Sequence, residues 1–290
     1  MTFFIFLQQS PGWFYLLLVI LGLIAGSFLN VVIYRLPIML ERRWQQESKA
    51  ALFPDKAQIK QQTFNIAMPP SFCTYCQSSI KPWENIPLIS YLFLKGKCSA
   101  CKTPISTRYP AVEAITALLT LLVGSYFGVT IESIAYCFFV YSLLVLTLID
   151  IDKQLLPDII TLPLLWAGLL FNSATGLVPL QSALLGAVAG YLSLWSVYWL
   201  FKLATGKEGM GYGDFKLLAA LGAWLGWQLL PMIILLSSLV GTLATLLLIA
   251  LKLHKRTNPI PFGPYLSASG FIALLWGNKL LLSYLQVMGL

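Results

Sequence analysis

Long apolar runs constrain this chain more than any other feature of its sequence. They recur along the whole length, and the first reads "WFYLLLVILGLIAGSFLNVVIY" at positions 13–34. A helix of about 20 apolar residues crosses the roughly 30 Å hydrocarbon core of a bilayer. Charged residues make up only 10% of the chain, whereas soluble domains contain about 25%. The sequence therefore predicts an α-helical polytopic membrane protein.

The apolar runs predict about eight transmembrane helices. Their approximate limits are 13–34, 111–128, 133–149, 159–175, 180–201, 215–230, 231–251 and 265–287. Three parts follow: a first span within 1–34, a polar domain over 35–110, and a membrane domain over 111–290. Basic residues concentrate on the cytoplasmic side of membrane proteins. Placing 35–110 in the cytoplasm puts 18 of the 19 Lys and Arg residues on that side, which predicts the orientation.

The domain over 35–110 carries most of the positive charge. It contains eleven Lys or Arg residues and four acids, and the whole chain has a net charge of +8. Basic segments beside a membrane bind anionic lipid headgroups, so we expect this domain to contact lipid. It has no recognisable nucleic-acid recognition element, and we expect no nucleic-acid partner. Residues 41–62 are predicted to form an amphipathic helix or a mobile segment.

Four cysteines in this domain predict a metal site. Cys73 and Cys76 form one C-x-x-C pair, and Cys98 and Cys101 form a second pair, with 21 residues between the two pairs. Two such pairs are typical of a tetrahedral zinc site with four thiolate ligands. The cytosol keeps thiols reduced, which disfavours disulfides there. Because four sulfur ligands leave no position for water, the predicted zinc is structural.

Four acidic residues lie at the predicted cytoplasmic ends of the spans. Asp150, Asp152 and Asp158 occur in "LIDIDKQLLPD", and Asp214 lies in "GMGYGDFKLLAALGAW". Ionisable groups at the hydrocarbon boundary are costly and are functional candidates by default. Asp158 precedes an apolar run and is interpreted as a helix N-cap. Asp150 and Asp152 cannot share a helical face, because they are about 200° apart around the axis.

The glycines before Asp214 suggest what this carboxylate does. A helix cap alone does not need both Gly211 and Gly213, whereas glycines allow another backbone, such as an extended peptide, to approach closely. The partner of Asp214 would be Asp150 or Asp152. Two carboxyl groups brought together share one proton, so they can activate a water molecule and polarise a peptide carbonyl. This pattern predicts hydrolysis of a membrane-anchored peptide.

Several motifs together resemble the bacterial type IV prepilin peptidases, which are leader peptidase/N-methyltransferases. They are "GSFLNVVIYRLP", the two C-x-x-C pairs, "WENIPLISY", "RYPAVEAITA", "LIDIDKQLLPD" and "GMGYGDFKLLAALGAW". They occur in order over about residues 20 to 265. The resemblance implies an inner-membrane aspartic protease that removes the basic leader of prepilins and pseudopilins after a glycine. It also implies N-methylation of the new first residue with S-adenosylmethionine, in type IV pilus or type II secretion systems.

The resemblance also implies roles for particular residues. Asp214 and Asp150 match the catalytic pair, and Asp152 matches a supporting acidic position. Gly96 and Lys97, directly before the second cysteine pair, match residues linked to methyl transfer. The oligomeric state is not predicted.

Two alternatives remain open at this point. In the first, the chain is a peptidase only, and the zinc domain is a structural docking module. In the second, which belongs to a different class, the chain is an ion-coupled transporter that uses the intramembrane aspartates as ion ligands. The single histidine, His254, argues against a Ser–His–Asp triad and against a histidine-based zinc protease.

Overall fold

Helices make up nearly all of the regular structure, which confirms the predicted α-helical membrane fold. The computed structural model describes residues 2–52, 64–252 and 260–288. The α-helices in these ranges are α1 (Thr2–Gln9), α2 (Pro11–Leu52), α3 (Ile89–Phe93), α4 (Arg108–Phe127), α5 (Ile131–Lys153), α6 (Asp158–Thr175), α7 (Leu180–Thr205), α8 (Tyr212–Leu225), α9 (Leu230–Ala250) and α10 (Gly263–Met288).

The chain divides into two compact units, Met1–Cys137 and Phe138–Leu290. The helix that contains the first predicted span does not stop at residue 34, because α2 continues without a break to Leu52 and includes Pro37. The helix predicted over 41–62 is therefore present as far as Leu52, and the rest of that segment lies outside the described residues. His254 also lies outside them.

Seven helices in the described ranges are long and apolar enough to cross a membrane. They are α2, α4, α5, α6, α7, α9 together with the preceding 3-10 turn, and α10. The sequence predicted about eight. The difference is the predicted segment 215–230, which forms α8 and a short 3-10 turn at Trp227–Leu229. Gly226, with a φ of 83°, ends α8 after fourteen residues. A helix of that length extends only about 21 Å, which is shorter than the hydrocarbon core of a bilayer.

Although it is short, α8 lies at the centre of the second unit. Lys216 near its start pairs with Asp158 at the start of α6, at 2.7 Å. The Asn172 side chain near the end of α6 donates to the Ala223 and Trp224 carbonyl oxygens, at 2.9 and 3.1 Å. The two helices therefore run side by side in the same direction.

Close packing against α7 encloses α8 further. A Cβ atom added to Gly222 would lie 2.2 Å from the carbonyl oxygen of Gly186 on α7, so the two backbones touch at this point. Small residues allow such close approach between membrane helices. Trp224 is 2% exposed, and its Nε1 donates to the Leu164 carbonyl oxygen at 2.8 Å. These contacts hold the first turn of α8, and with it Asp214, in a defined position.

Candidate active site

Asp150 lies near the C-terminal end of α5 and is only 5% exposed. Its Oδ2 accepts a hydrogen bond from the backbone N–H of Gly263, at 2.9 Å. Gly263 is the first residue of α10, where backbone N–H groups have no partner inside the helix. The start of α10 therefore fixes the orientation of this carboxyl group.

Asp214 lies in the first turn of α8 and is 7% exposed. Its backbone N–H donates to the Gly211 carbonyl oxygen at 3.2 Å. The side chain makes no capping hydrogen bond, since the N-cap position is Gly211. Asp214 is thus a buried acid at a helix start that the helix itself does not use as a cap.

The two carboxyl groups lie close enough to interact electrostatically. Leu156, in the turn after α5, packs against Gly213, which directly precedes Asp214, and against Gly263, whose N–H binds Asp150. A Cβ atom on Gly213 would lie 2.7 Å from Leu156 Cβ, and one on Gly263 would lie 3.1 Å from Leu156 Cδ2. The Gly263 Cβ would also lie 2.6 Å from Asp150 Oδ2. Three segments distant in sequence therefore meet around these two acids.

The two glycines before Asp214 have different surroundings. Gly213 is half-buried against Leu156, whereas Gly211 is exposed, and a Cβ atom there would meet nothing nearer than Asp214 Oδ2, at 3.8 Å. Gly211 has φ −82° and ψ 149°, which any residue adopts. Packing within the protein explains the glycine at 213. At Gly211, by contrast, the space directly beside the carboxyl group of Asp214 is open.

This contrast predicts opposite effects on stability. Gly213→Ala is expected to destabilise the folded protein by about 1–3 kcal/mol, because the new methyl group overlaps Leu156. Gly211→Ala is the matched control and is expected to unfold at the wild-type temperature. Thermal unfolding of both variants in detergent measures the difference. Equal destabilisation by the two substitutions would contradict the packing of Leu156 against Gly213.

The other predicted acids lie elsewhere. Asp152 is exposed, two residues beyond the buried Asp150. The interpretation of Asp158 as an N-cap was wrong, because Pro157 occupies that position. Both carboxylate oxygens of Asp158 instead accept hydrogen bonds from Lys216 Nζ, at 2.7 Å each. This ion pair joins the first turn of α6 to the first turn of α8.

Gly263 and Leu156 were not identified from the sequence. The only signal was "PFGPYL", in which a glycine and a proline precede an apolar run, as at the beginning of a helix. That signal predicts a helix start. It does not predict that the start meets a carboxylate 113 residues earlier in the chain.

The four predicted cysteine ligands cluster in the first unit. Their Sγ atoms all lie within 4.8 Å of one another, and those of Cys73 and Cys101 are 3.9 Å apart. A tetrahedron with metal–sulfur bonds of about 2.3 Å has sulfur–sulfur edges of about 3.8 Å. The cluster therefore has the dimensions of a four-thiolate metal site.

Two equivalent turns hold the cysteines. In each turn the N–H of the first cysteine donates to the carbonyl oxygen of the residue five positions later. The carbonyl oxygen of the same cysteine accepts a hydrogen bond from the N–H of the residue four positions later. These bonds join Cys73 to Ser78 and Gln77 at 2.9 Å each, and Cys98 to Thr103 and Lys102 at 2.9 and 3.1 Å. A hydrogen bond with Ser78 lowers the pKa of the Cys76 thiol to about 6. This favours the thiolate that metal binding requires.

Gly96 and Lys97 lie directly before the second turn. Gly96 has a φ of 67°, and its N–H donates to the Tyr91 carbonyl oxygen at 2.9 Å. The Lys97 side chain is exposed, and its backbone pairs with Pro104 across the turn. Both residues are therefore part of the local architecture of the cysteine domain.

Two family models match the chain. The bacterial peptidase A24 N-terminal domain matches residues 20–127, and the type IV leader peptidase family matches residues 137–246. The protein is therefore an aspartic-type membrane peptidase by class. Both its helices of membrane-spanning length and these family matches support this class.

Relatives named prepilin leader peptidase/N-methyltransferase are similar over almost their whole length. The one from Pseudomonas aeruginosa is 55% identical over 98% of this chain and 98% of its own length. That from Aeromonas hydrophila is 55% identical over 96% and 97%, and that from Pectobacterium carotovorum subsp. carotovorum is 49% identical over 93% and 96%. The chain belongs to this family of prepilin leader peptidase/N-methyltransferases. A comparison with solved structures finds no match.

Membership of this family decides between two of the classes left open by the sequence. These relatives are all named as enzymes, and none is named as a transporter. Family membership therefore supports an enzyme and argues against the ion-coupled transporter.

Proposed function

We propose that this chain cuts the leader from type IV prepilins and pseudopilins with Asp150 and Asp214, and then N-methylates the new first residue. The observation that carries the peptidase reaction is the pair of buried carboxyl groups, which come from two helices and lie where Leu156 packs against Gly213 and Gly263. Likeness to proteins named for both activities supports the methyl transfer.

Peptide hydrolysis follows from one proton shared between the two carboxyl groups. The ionised carboxylate takes a proton from a water molecule as the water oxygen attacks the scissile carbonyl carbon. The protonated carboxyl group donates a hydrogen bond to the carbonyl oxygen. When the tetrahedral intermediate collapses, the C–N bond breaks and the leaving amine takes up a proton. The hydrogen bond from Gly263 orients Asp150 throughout.

The peptide is proposed to approach over Gly211. The space beside the Asp214 carboxyl group is open there, whereas Leu156 fills the corresponding space at Gly213. A peptide cut at this point presents its scissile bond at the end of the second unit where α6 and α8 begin. Asp152, exposed near that end, is proposed to support the site.

Cys73, Cys76, Cys98 and Cys101 are proposed to hold one structural zinc ion. The spacing of their sulfur atoms and the donor set both fit tetrahedral zinc. The zinc supplies stability to a segment that has little secondary structure besides α3 and a 3-10 turn at Pro82–Asn85. With four protein ligands, it takes no part in either reaction.

For the second reaction, bound S-adenosylmethionine supplies an activated methyl group. The acceptor is the free amine that leader removal creates, and that amine must lose a proton to accept the methyl group. Gly96 and Lys97 are proposed to support this reaction through the architecture of the cysteine domain.

We also propose that the protein lies in the bacterial inner membrane with the cysteine domain and both aspartates at the cytoplasmic face. The distribution of Lys and Arg supports this orientation. Basic side chains of α2, such as Arg42 and Lys49, lie beyond its apolar part, where they can contact anionic headgroups.

The experiment that tests the function is mass spectrometry of a purified prepilin after incubation with the detergent-solubilised protein. The prepilin should have a leader that ends in glycine and a mature chain that begins with phenylalanine. We expect a cut after glycine in both conditions, and one added methyl group only when S-adenosylmethionine is present. A product that is cut but never methylated would favour the peptidase with a docking domain. Absence of any cut by the folded protein would overturn the peptidase.

A further inference from the structure

A cavity of about 400 Å³ lies within the first unit. Residues of α2 and α4 form one side of it, and the cysteine domain forms the other. Small-molecule sites in proteins are usually about 300–1,000 Å³ in volume, so this cavity has the size of a ligand site. Asp150 and Asp214 do not line it, whereas Cys73 and Cys98 of the proposed zinc site border it on one side.

Glu113 on α4 lines the cavity and is the most informative residue in it. It is 8% exposed, and its Oε2 accepts a hydrogen bond from the Leu88 backbone N–H at 2.9 Å. Ser27 on α2 lines the same cavity. Within the part of the chain that the structure describes, no Lys or Arg forms an ion pair with this carboxyl group. Burying a carboxylate without a positive partner is costly, which indicates that a cation belongs in the cavity.

The cavity also contains a buried positive charge, which comes from Arg35. Arg35 on α2 is 6% exposed and lines the same space. Its Nη1 donates to the Asn65 and Ile66 carbonyl oxygens, at 3.1 and 3.2 Å. A guanidinium group has five N–H donors, so further donors remain for an acidic group of a ligand. The cavity thus provides sites for both a cation and a carboxylate.

The rest of the lining combines small polar and aliphatic side chains with several aromatic rings. Tyr34, Phe72, Tyr91 and Tyr109 all contribute to the walls. Aromatic rings stack on the flat faces of nucleobases and attract cations over their own faces. An adenosyl group joined to a positively charged, zwitterionic amino acid therefore matches the aromatic rings together with the two buried charged groups.

Gly96 connects this cavity to the residues implicated in methyl transfer. A Cβ atom on Gly96 would lie 2.8 Å from the Tyr91 hydroxyl oxygen and 3.0 Å from its Cζ. Any side chain at 96 would therefore displace the Tyr91 ring, which lines the cavity. Gly96 is a positioning residue for that ring, whereas Lys97 is not part of the lining.

We propose that this cavity binds S-adenosylmethionine, with its positively charged sulfonium and ammonium groups at Glu113 and its carboxylate at Arg35. The proposal rests on the methyl transfer proposed above and gives that reaction a site. It places the methyl donor in the first unit, in walls built from α2, α4 and the cysteine domain.

Binding measurements on the full-length, zinc-loaded protein test the proposal. Equilibrium dialysis would compare S-adenosylmethionine with S-adenosylhomocysteine, whose sulfur is uncharged. We expect Glu113→Gln to weaken binding of S-adenosylmethionine by about 10–100-fold, and binding of S-adenosylhomocysteine by less. Glu47→Gln is the matched control, because it removes an exposed acid of the same unit, and its affinity should equal that of the wild type.

Three outcomes would overturn the site. Unchanged affinity of Glu113→Gln for both compounds would remove the role of its carboxylate. If that variant does not fold, photocrosslinking of wild-type protein with an azido derivative of S-adenosylmethionine decides. Label in peptides that line the cavity supports the site, and label only in residues 138–290 refutes it. Wild-type protein that cuts prepilin without binding S-adenosylmethionine would refute the proposed methyl transfer as well, and leave the peptidase intact.

Discussion

Replacing either Asp150 or Asp214 by asparagine is expected to reduce the rate of prepilin cleavage by about 10²–10⁴-fold. Asparagine has nearly the same shape as aspartate but can neither accept the proton of the attacking water nor share a proton with its partner. Asp150→Asn can still accept the hydrogen bond from Gly263, so the fold should be retained. Cleavage rates of a purified prepilin, measured with thermal unfolding of each variant, check this.

The control for this experiment is on the same helix as Asp150. Glu132 lies in the first turn of α5, at the opposite end, and Glu132→Gln should leave cleavage unchanged. The wild-type rate should also fall on both sides of a pH maximum, because acid protonates both carboxyl groups and base ionises both. Cleavage at the wild-type rate by either folded asparagine variant would refute the proposed mechanism.

Replacing any of the four clustered cysteines by serine is expected to abolish binding of the proposed zinc ion and to unfold the cysteine domain. Structural zinc contributes about 10–16 kcal/mol to folding in zinc-finger peptides. Residues 64–107 contain only α3, a 3-10 turn and isolated backbone pairs besides the two cysteine turns. Domains this small usually need a metal or disulfides for stability. Metal analysis and limited proteolysis of Cys73→Ser measure both effects.

The fifth cysteine provides the control. Cys137 lies on α5 outside the cluster, so Cys137→Ser should keep one zinc per chain and resist proteolysis as the wild type does. Purified wild-type protein with much less than one zinc per chain would count against the metal site. So would a Cys73→Ser variant that keeps its zinc.

The cysteine site was predictable because its geometry is mainly local. Each C-x-x-C pair is closed by hydrogen bonds that reach only four or five residues along the chain. The sequence spacing alone therefore sets the shape of each turn. The sequence does not show that the two turns lie side by side, and only the tertiary structure brings their four sulfur atoms into one cluster.

The acids were predictable as candidates, but their environments were not. Helical periodicity separates the faces of Asp150 and Asp152 without showing which face is buried. The structure buries Asp150 and exposes Asp152. Likewise, the sequence shows two glycines before Asp214, and only the contact with Leu156 separates Gly213 from Gly211.

The sequence by itself determined the elements of this protein: long apolar helices, a basic domain with a four-cysteine site, and a few acids at helix ends. Those properties depend on composition and on spacings of a few residues. The tertiary structure alone decided that Gly263 contacts Asp150, that Leu156 packs beside Asp214, and that the buried Glu113 carboxyl group bonds to the Leu88 N–H. These contacts join residues 25 to 113 positions apart. Long-range packing, which no local pattern specifies, sets the burial of each group and hence its chemistry.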